Sequence, residues 1–339
     1  MVTSSVRISF IHDLSMIKLI KHFEEKIIKG RYLSKKDAFS LSEVSGSQIF
    51  DLFTSANKIR NHFKGIKVNL CSIVNAKSGL CSEDCSFCAQ SSKSTAKIEV
   101  YPLLSKETII QKAKEANKSG AKRFSLVTSG RKVSDRELFV LADMISEIKK
   151  ISINPCASLG MLTERELSIL KSAGLERYHH NIETSEKFFP QICKTHHYTD
   201  KLKTIHAVKS VGLSICSGGI FGMGETWQDR IDMAFLLKDL DVDSVPINFF
   251  IPIKGTALKN RDLLHPFEAL KIVSLYRFIL PEKEIRICGG RMQVLGEFNS
   301  MVFFSGADSL LIGNYLTTSG RNYEDDFRLI KAYGLTTKT

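Results

Sequence analysis

Eight short runs rich in β-branched and aromatic residues recur along the 339-residue chain, mostly about 25–35 residues apart, with amphipathic helical patterns between them. They are Val68–Val74, Arg123–Thr128, Ile151–Leu159, Arg177–Ile182, Leu213–Phe221, Ser244–Phe250, Glu284–Ile287 and Ser309–Ile312. That spacing is the length of one βα unit, roughly 30 residues. The intervening helices carry their own start and stop signals. Ser134-x-x-Glu137 and Thr163-x-x-Glu166 read as capping boxes before apolar stripes. Pro266 suits a first helical turn, and Gly174 and Gly212 suit helix ends. Eight such units predict an α/β fold, a (β/α)8 TIM-type barrel over residues 66–320. No internal repeat or low-complexity segment interrupts the pattern.

Residues 1–65 read as a helical extension that caps the bottom of the barrel and carries no chemistry of its own. Apolar residues recur at helical spacing from Lys18 to Ile28, with Gly30 as a stop, and again from Leu41 to Phe63. Residues 321–339 read as a C-terminal tail or helix. The formal charge of +12 raises the question of nucleic acid, but the basic residues are dispersed through helical patterns. No basic block is interleaved with aromatics as a base-stacking platform would be. The expectation is therefore no nucleic-acid partner. No long uncharged apolar run or signal-peptide core appears, which predicts a cytoplasmic protein with no membrane span. Eight cysteines are too few for a disulfide scaffold in a chain of this size, and their clustering points to metal or redox chemistry.

Barrels of this kind place their chemistry on the loops that follow the strands. After the first run stand Cys81, Cys85 and Cys88, at C-x3-C-x2-C spacing within Asn75-Ala-Lys-Ser-Gly-Leu-Cys81-Ser-Glu-Asp-Cys85-Ser-Phe-Cys88-Ala-Gln-Ser-Ser. A closed zinc site wants four ligands. Three thiolates suit an iron-sulfur cluster with one iron left open. Phe87, between the second and third cysteines, is placed to shield such a cluster. A glycine-rich turn, Ser217-Gly218-Gly219-Ile220-Phe221-Gly222-Met223-Gly224-Glu225, follows the fifth run, where glycines let backbone approach a ligand. Tyr178-His179-His180-Asn181-Ile182-Glu183-Thr184-Ser185 ends the fourth run, and alternate residues of a strand share a face. By the same rule His179 and His180 point to opposite faces, which argues against a metal-binding pair. Val245-Pro246-Ile247-Asn248 ends the sixth run, followed by Lys254-Gly255-Thr256.

The cysteine spacing resembles that of radical S-adenosylmethionine (SAM) enzymes, and the words around it resemble those of the biotin synthase family. Five motifs stand in matching order between about Gly30 and Gly334. The resemblance implies a [4Fe-4S] cluster on Cys81, Cys85 and Cys88, with SAM bound to its open iron and Phe87 against the adenine. Gly218-x-Ile220-x-Gly222-x-x-Glu225 matches the element that supports adenine in many radical SAM enzymes. Asn181 and Glu183 match residues that contact SAM. His179 stands where the family has a substrate-contacting Asn, and Asn248 matches the Asn that binds the ureido ring of dethiobiotin.

The family also carries an auxiliary iron-sulfur cluster deep in the barrel, usually [2Fe-2S] on three cysteines and an arginine. Cys156, Cys216 and Arg286 match three of those ligands, while Ser125 stands where the second-strand cysteine is usual. Cys288 lies two residues beyond Arg286, so on a strand it faces the same interior. The expectation is that Cys156, Cys216 and Cys288 hold the auxiliary cluster with Arg286, that Ser125 is no ligand, and that a larger four-iron cluster with a sulfide to donate fits there. Cys71 and Cys193 read as small buried hydrophobes.

By this resemblance an electron reaching the Cys81/Cys85/Cys88 cluster cleaves SAM to methionine and a 5′-deoxyadenosyl radical. That radical takes hydrogen from dethiobiotin, and the carbon radical attacks an auxiliary-cluster sulfide. A second SAM closes the thiophane ring, which makes the chain a sulfurtransferase of biotin biosynthesis. The implied partners are dethiobiotin, SAM, a flavodoxin or ferredoxin as electron donor, and a second copy in a homodimer. Two other readings share part of the pattern. Another radical SAM enzyme of this branch, such as a hydrogenase-cluster maturase or methylornithine synthase, shares the triplet. A non-catalytic metal-binding module would bind iron or zinc without cleaving SAM.

Overall fold

The computed structural model describes residues 4–314, 316 and 320–337. Three helices come first, α1 (Ser4–Ile28), α2 (Lys35–Ser42) and α3 (Ile49–Lys64), followed by β1 (Lys67–Lys77). Then come α4 (Lys106–Lys118), β2 (Arg123–Thr128), α5 (Asp135–Lys149), β3 (Asn154–Ser158), α6 (Glu164–Ser172) and β4 (Arg177–His179). Next are α7 (Tyr198–Val211), β5 (Ser214–Cys216), β6 (Gly219–Phe221), α8 (Trp227–Asp239), β7 (Ser244–Phe249) and α9 (Pro266–Ile279). The described chain closes with β8 (Glu284–Ile287), α10 (Arg291–Leu295), β9 (Ser309–Leu311), α11 (Tyr323–Ala332) and β10 (Thr336–Thr337).

Every strand pairing is parallel, in the order β1-β2-β3-β4-β5-β7-β8-β9. β1 pairs again with β9, Cys71 opposite Leu311, and the sheet closes into a (β/α)8 TIM-type barrel. Each of the eight runs read from the sequence holds a strand. The fifth run is divided into β5 and β6 around Ser217-Gly218, because Gly218 lies so close to β7 that a Cβ there would meet Pro246 O at 2.1 Å. The fourth run stops at His179, short of Ile182. Strand alternation then sorts the side chains. On β1, Val68, Leu70, Val74 and Ala76 join the large core between sheet and helices, while Cys71 and Ile73 pack inside the barrel.

The helices start where their caps lie. Ser134 and Thr163 each close a capping box, with Glu137 and Glu166, and Gly212 ends α7 in a left-handed conformation at φ 73°. α9 is buried nearly all round, from Ala269 to Ile279, because α3 covers the face turned away from the barrel. The N-terminal extension thus does more than cap the floor: α2 and α3 wrap α8 and α9, and the end of α3 reaches the floor, where Lys64 Nζ lies 3.7 Å from Asp308. It also begins its first helix at Ser4, well before Lys18, and breaks the second pattern at Glu43–Gln48. The C-terminal tail forms α11 and then β10, which pairs with the start of β1. Among the described residues, no helix is long and apolar enough to cross a membrane.

One buried ion pair ties α9 to the floor. Arg277 and Asp308 are both fully buried, 2.5 Å apart, and Arg277 also donates to the carbonyls of Gly306, Pro281 and Lys283. Asp308 in turn accepts the Ile285 N–H at 2.7 Å, which fixes the start of β8. Breaking a buried pair strands the other charge. Arg277→Met is expected to lower the unfolding free energy by about 3–5 kcal/mol in a denaturant titration; a loss near zero would show that Lys64 takes over the carboxylate.

Candidate active site

The triplet loop leaves β1 at the C-terminal mouth and curls back on itself. Cys81 N–H donates to Gln90 O at 3.0 Å, Ser92 N–H to Cys81 O at 2.7 Å, and Cys88 N–H to Cys85 O at 3.0 Å. Leu80 takes a left-handed φ of 53° to make the bend and stays exposed. Cys81, Cys85 and Cys88 are all half-buried.

This loop does not hold its shape alone. Asp84 Oδ1 accepts the backbone N–H groups of Lys194 and Thr195 at 2.9 and 3.1 Å. Those bonds outweigh burial and hold its carboxyl at about 2. Glu83 Oε2 meets His196 Nδ1 at 2.5 Å and the Thr195 hydroxyl at 2.6 Å. Cys193, read from the sequence as a small core thiol, is indeed in the main core, but its Sγ also lies 3.9 Å from Cys85 Sγ and 3.2 Å from His196 Nδ1. The donor atoms of Glu83, Cys193 and His196 lie within 4.8 Å of one another, a set able to hold a metal ion. Here they are already engaged with each other, and the segment from Cys193 to His196 serves as a latch on the middle of the cysteine loop.

Below the mouth the barrel interior is polar at its floor and sulfur-rich above it. At the floor Glu284 faces Arg177 at 3.3 Å, contacts Arg286, and lies 3.1 Å from both the Ser244 and Ser309 hydroxyls. Burial works against the charge on Glu284, but Arg286 and Arg177 outweigh it and hold the carboxyl well below its usual range. Arg286 Nη1 then reaches 3.6 Å from Cys216 Sγ, and Arg123 Nη1 lies 4.0 Å from Cys156 Sγ. Cys156 is fully buried, and burial pushes its thiol up to about 12. Cys288 packs against Cys71, which the sequence reads as a small buried hydrophobe. Ser125 faces inward between β1 and β3, opposite Ile73 and Cys156, with a fully buried hydroxyl that has no partner.

A cavity of about 300 Å³ opens over this layer, lined by Cys71, Cys288, Arg286, His179, Glu183 and Asn248 among others. It shares Ile73, Asn181, Glu183, Asn248 and Leu311 with a second cavity of about 310 Å³, which Phe87, Ile220 and Phe250 also line. The two form one chamber from the sulfur layer to the cysteine loop. His179 lies among Arg286, Arg177 and Arg123, whereas His180 lies toward Lys201 and His196, so the two rings take different sides as strand alternation predicts. Burial pushes both imidazoles well below their ordinary value, so both rings are neutral.

The buried Nε2 atoms of His179 and His180 and the Oε2 of Glu183 have no partner. Each unpaired buried polar atom costs about 1–3 kcal/mol, so those of His179 and Glu183 on the chamber wall fit a polar ligand. Asn248 is more committed. Its amide donates to Gly219 O at 3.2 Å and accepts from Gly289 N–H at 3.1 Å, leaving one N–H and one lone pair for anything in the chamber.

The glycine-rich turn works differently from the expectation. A Cβ at Gly218 or Gly219 would meet the backbone oxygen of Pro246 at 2.1 Å or of Glu183 at 2.2 Å, so these glycines let neighbouring strands close up rather than admit a ligand. Glu225 accepts from the N–H groups of Gly222, Met223 and Gly224 and pairs with Arg230 at 2.8 Å. Gly222 and Glu225 therefore brace the turn from outside the chamber, while Ile220, Asn181 and Glu183 line it.

Comparison with known proteins places the chain in a family. The chain matches the radical SAM superfamily over residues 77–237 and the biotin and thiamin synthesis associated domain over residues 246–336. It is 56% identical over 295 residues to the biotin synthase of Thermodesulfovibrio yellowstonii, spanning 87% of this chain and 93% of that one. It is 47% identical over 321 residues to the biotin synthase of Heliobacterium modesticaldum, spanning 94% and 98%. Its fold resembles that of methylornithine synthase, with a TM-score of 0.82 at 19% identity over 94% of this chain and 97% of that one. It also resembles the FeFe-hydrogenase maturase of Carboxydothermus hydrogenoformans, with a TM-score of 0.80 at 18% identity over 96% and 85%. At such identities the structural likeness speaks for the fold alone.

The latch makes a direct test of the triplet loop possible. Outer partners that orient metal ligands are worth about 10–100-fold in affinity. Asp84→Ala is therefore expected to speed loss of iron from the anaerobically reconstituted triplet at least tenfold in a chelator competition. Release at the unaltered rate would show that the loop keeps its shape without Lys194 and Thr195.

Proposed function

This chain belongs to the biotin synthase family, and from that membership we propose how its own residues serve the insertion of sulfur into dethiobiotin to give biotin. Cys81, Cys85 and Cys88 hold the [4Fe-4S] cluster with SAM, and Cys156, Cys216 and Cys288, with Arg286, hold the auxiliary cluster. When bound, the first cluster supplies the one-electron cleavage of SAM, and the auxiliary cluster supplies the sulfur.

The observation that carries this reading is a single chamber with buried thiols at one end, Phe87 of the cysteine loop at the other, and unpartnered polar atoms between them. Asn181 and Glu183 bind SAM, with Ile220 and Phe87 against its adenine. Gly218 lets the strands close beneath that site, while Gly222 and Glu225 hold the turn that presents Ile220. Asn248 offers its remaining N–H and lone pair to the ureido ring, and His179, kept neutral by burial, offers Nε2 to the substrate. Arg286 is held by Glu284 and directs its other nitrogen at Cys216. The guanidinium groups of Arg177 and Arg286 against the one carboxylate of Glu284 leave a positive field that favours thiolates and an anionic centre. The walls exclude water from a reactive carbon radical.

The auxiliary cluster on this reading is a four-iron centre, since Ser125 replaces the cysteine of the usual two-iron set. A flavodoxin or ferredoxin delivers the electron, and the protein works as a cytoplasmic homodimer; the family resemblance supports both statements.

Reconstituted protein given reductant, SAM and dethiobiotin without oxygen is expected to release biotin together with 5′-deoxyadenosine in a single turnover read by mass spectrometry. Deoxyadenosine without biotin would assign the radical chemistry to another substrate, with His179 the first residue to examine. In the same preparation Cys288→Ser is expected to abolish the auxiliary absorbance and Ser125→Ala to leave it unchanged. The opposite pattern would return the second-strand position to the ligand set.

A further inference from the structure

Counted around the barrel, the interior cysteines are not scattered. The eight strand positions are β1, β2, β3, β4, β5 with β6, β7, β8 and β9. Cys71 is on the first, Cys156 on the third, Cys216 on the fifth and Cys288 on the seventh. Barrels of this fold fill their interior in layers of four side chains drawn from alternate strands. Followed through the strand pairings, Cys71, Cys156, Cys216 and Arg286 form one such layer, and Cys288 lies one pleat above Arg286.

We propose that Cys71 is the fourth thiolate of the interior iron-sulfur centre, so that Cys71, Cys156, Cys216 and Cys288 close on it from four sides. This rests on the auxiliary-cluster assignment above and extends it by one residue. Without Cys71, the ligands on β3, β5 and β8 leave the arc β9–β1–β2 with no sulfur. Cys71 fills that arc from β1, one pleat below Ile73, which pairs with Ser125. It lines the same cavity as Cys288 and Arg286 and packs against Cys288 and Leu311, whereas Leu70 and Val74 beside it belong to the outer core. Arg286 faces Cys71, Cys216 and Cys288 together, and the Cys71 thiol is an electrostatic neighbour of Cys156 as well. On binding iron the thiol gives up its proton to the medium and the sulfur takes the coordination position. A small side chain at position 125 then leaves room for that centre instead of supplying a ligand to it.

The full chain carrying Cys81→Ala, Cys85→Ala, Cys88→Ala and Cys193→Ala lacks the triplet and the thiol of the Glu83, Cys193 and His196 set, so that thiolate-ligated iron reports the interior centre. After anaerobic reconstitution with iron and sulfide, this parent is expected to bind iron and to give thiolate-ligated doublets in its Mössbauer spectrum. Adding Cys71→Ala should remove the signal of one thiolate-ligated iron, about a quarter of a four-iron centre, or lose the centre altogether. Cys71→Ser, close to isosteric, should retain iron with one doublet shifted toward oxygen ligation. Circular dichroism and melting temperature show that each variant is folded. A Cys71→Ala spectrum identical to that of the parent would overturn the proposal and leave the auxiliary cluster on three cysteines. A parent that takes up no iron would overturn both.

Discussion

At the floor of the barrel one carboxylate, Glu284, gathers groups from strands that are far apart in the chain: Asn69 on β1, Arg177 on β4, Ser244 on β7, Arg286 on β8 and Ser309 on β9. A lone buried carboxylate would be too costly to keep charged. Two guanidinium groups and two hydroxyls make it stable, and in return it fixes both arginines. The direction of Arg286 toward Cys216 follows from that pairing, as does the positive field over the sulfur layer. The orientation of Arg286 in the interior therefore depends on a polar floor assembled from five strands.

The mouth depends on support of a different kind. A loop with three cysteines in eight residues, Cys81 to Cys88, has little apolar area with which to fix itself. Its middle is held by Asp84 and Glu83, which dock on backbone and side-chain donors of the segment after β4. The same strand end presents His179, Asn181 and Glu183 to the chamber. The cysteine loop and this wall of the chamber are thus parts of one hydrogen-bonded unit. Glu183 adopts a left-handed φ of 70° within it, a conformation that costs a non-glycine residue energy and that the surrounding contacts maintain.

The two family matches meet between α8 and β7, yet the sheet runs on without a break, with Gly219 opposite Ile247 and Val245 opposite Ile285. The chamber takes Glu183 and His179 from one match and Asn248, Arg286 and Cys288 from the other. Neither segment encloses the site alone. The closing pair of β1 and β9 completes the wall, and β10 adds a strand at the start of β1 that the tail gave no sign of.

What the chain reveals without its fold is what short-range pattern encodes. The eight strands, the capping boxes at Ser134 and Thr163 and the triplet with its neighbours are all properties of segments a few residues long, fixed by strand alternation, helix-end hydrogen bonding and loop spacing. The alternation even put Cys288 on the same side as Arg286. It stops short where a side chain's partner lies elsewhere in the chain. Glu225 reads as a site residue until its carboxylate is seen to be used up on the turn. Cys71 reads as an inert thiol because nothing near it in sequence bears on its role. Its neighbours Cys288 and Leu311 are more than two hundred residues away and come to it only when β1 pairs with β9. Alternation decides which side of a strand a residue takes, but only closure of the barrel decides what it meets there.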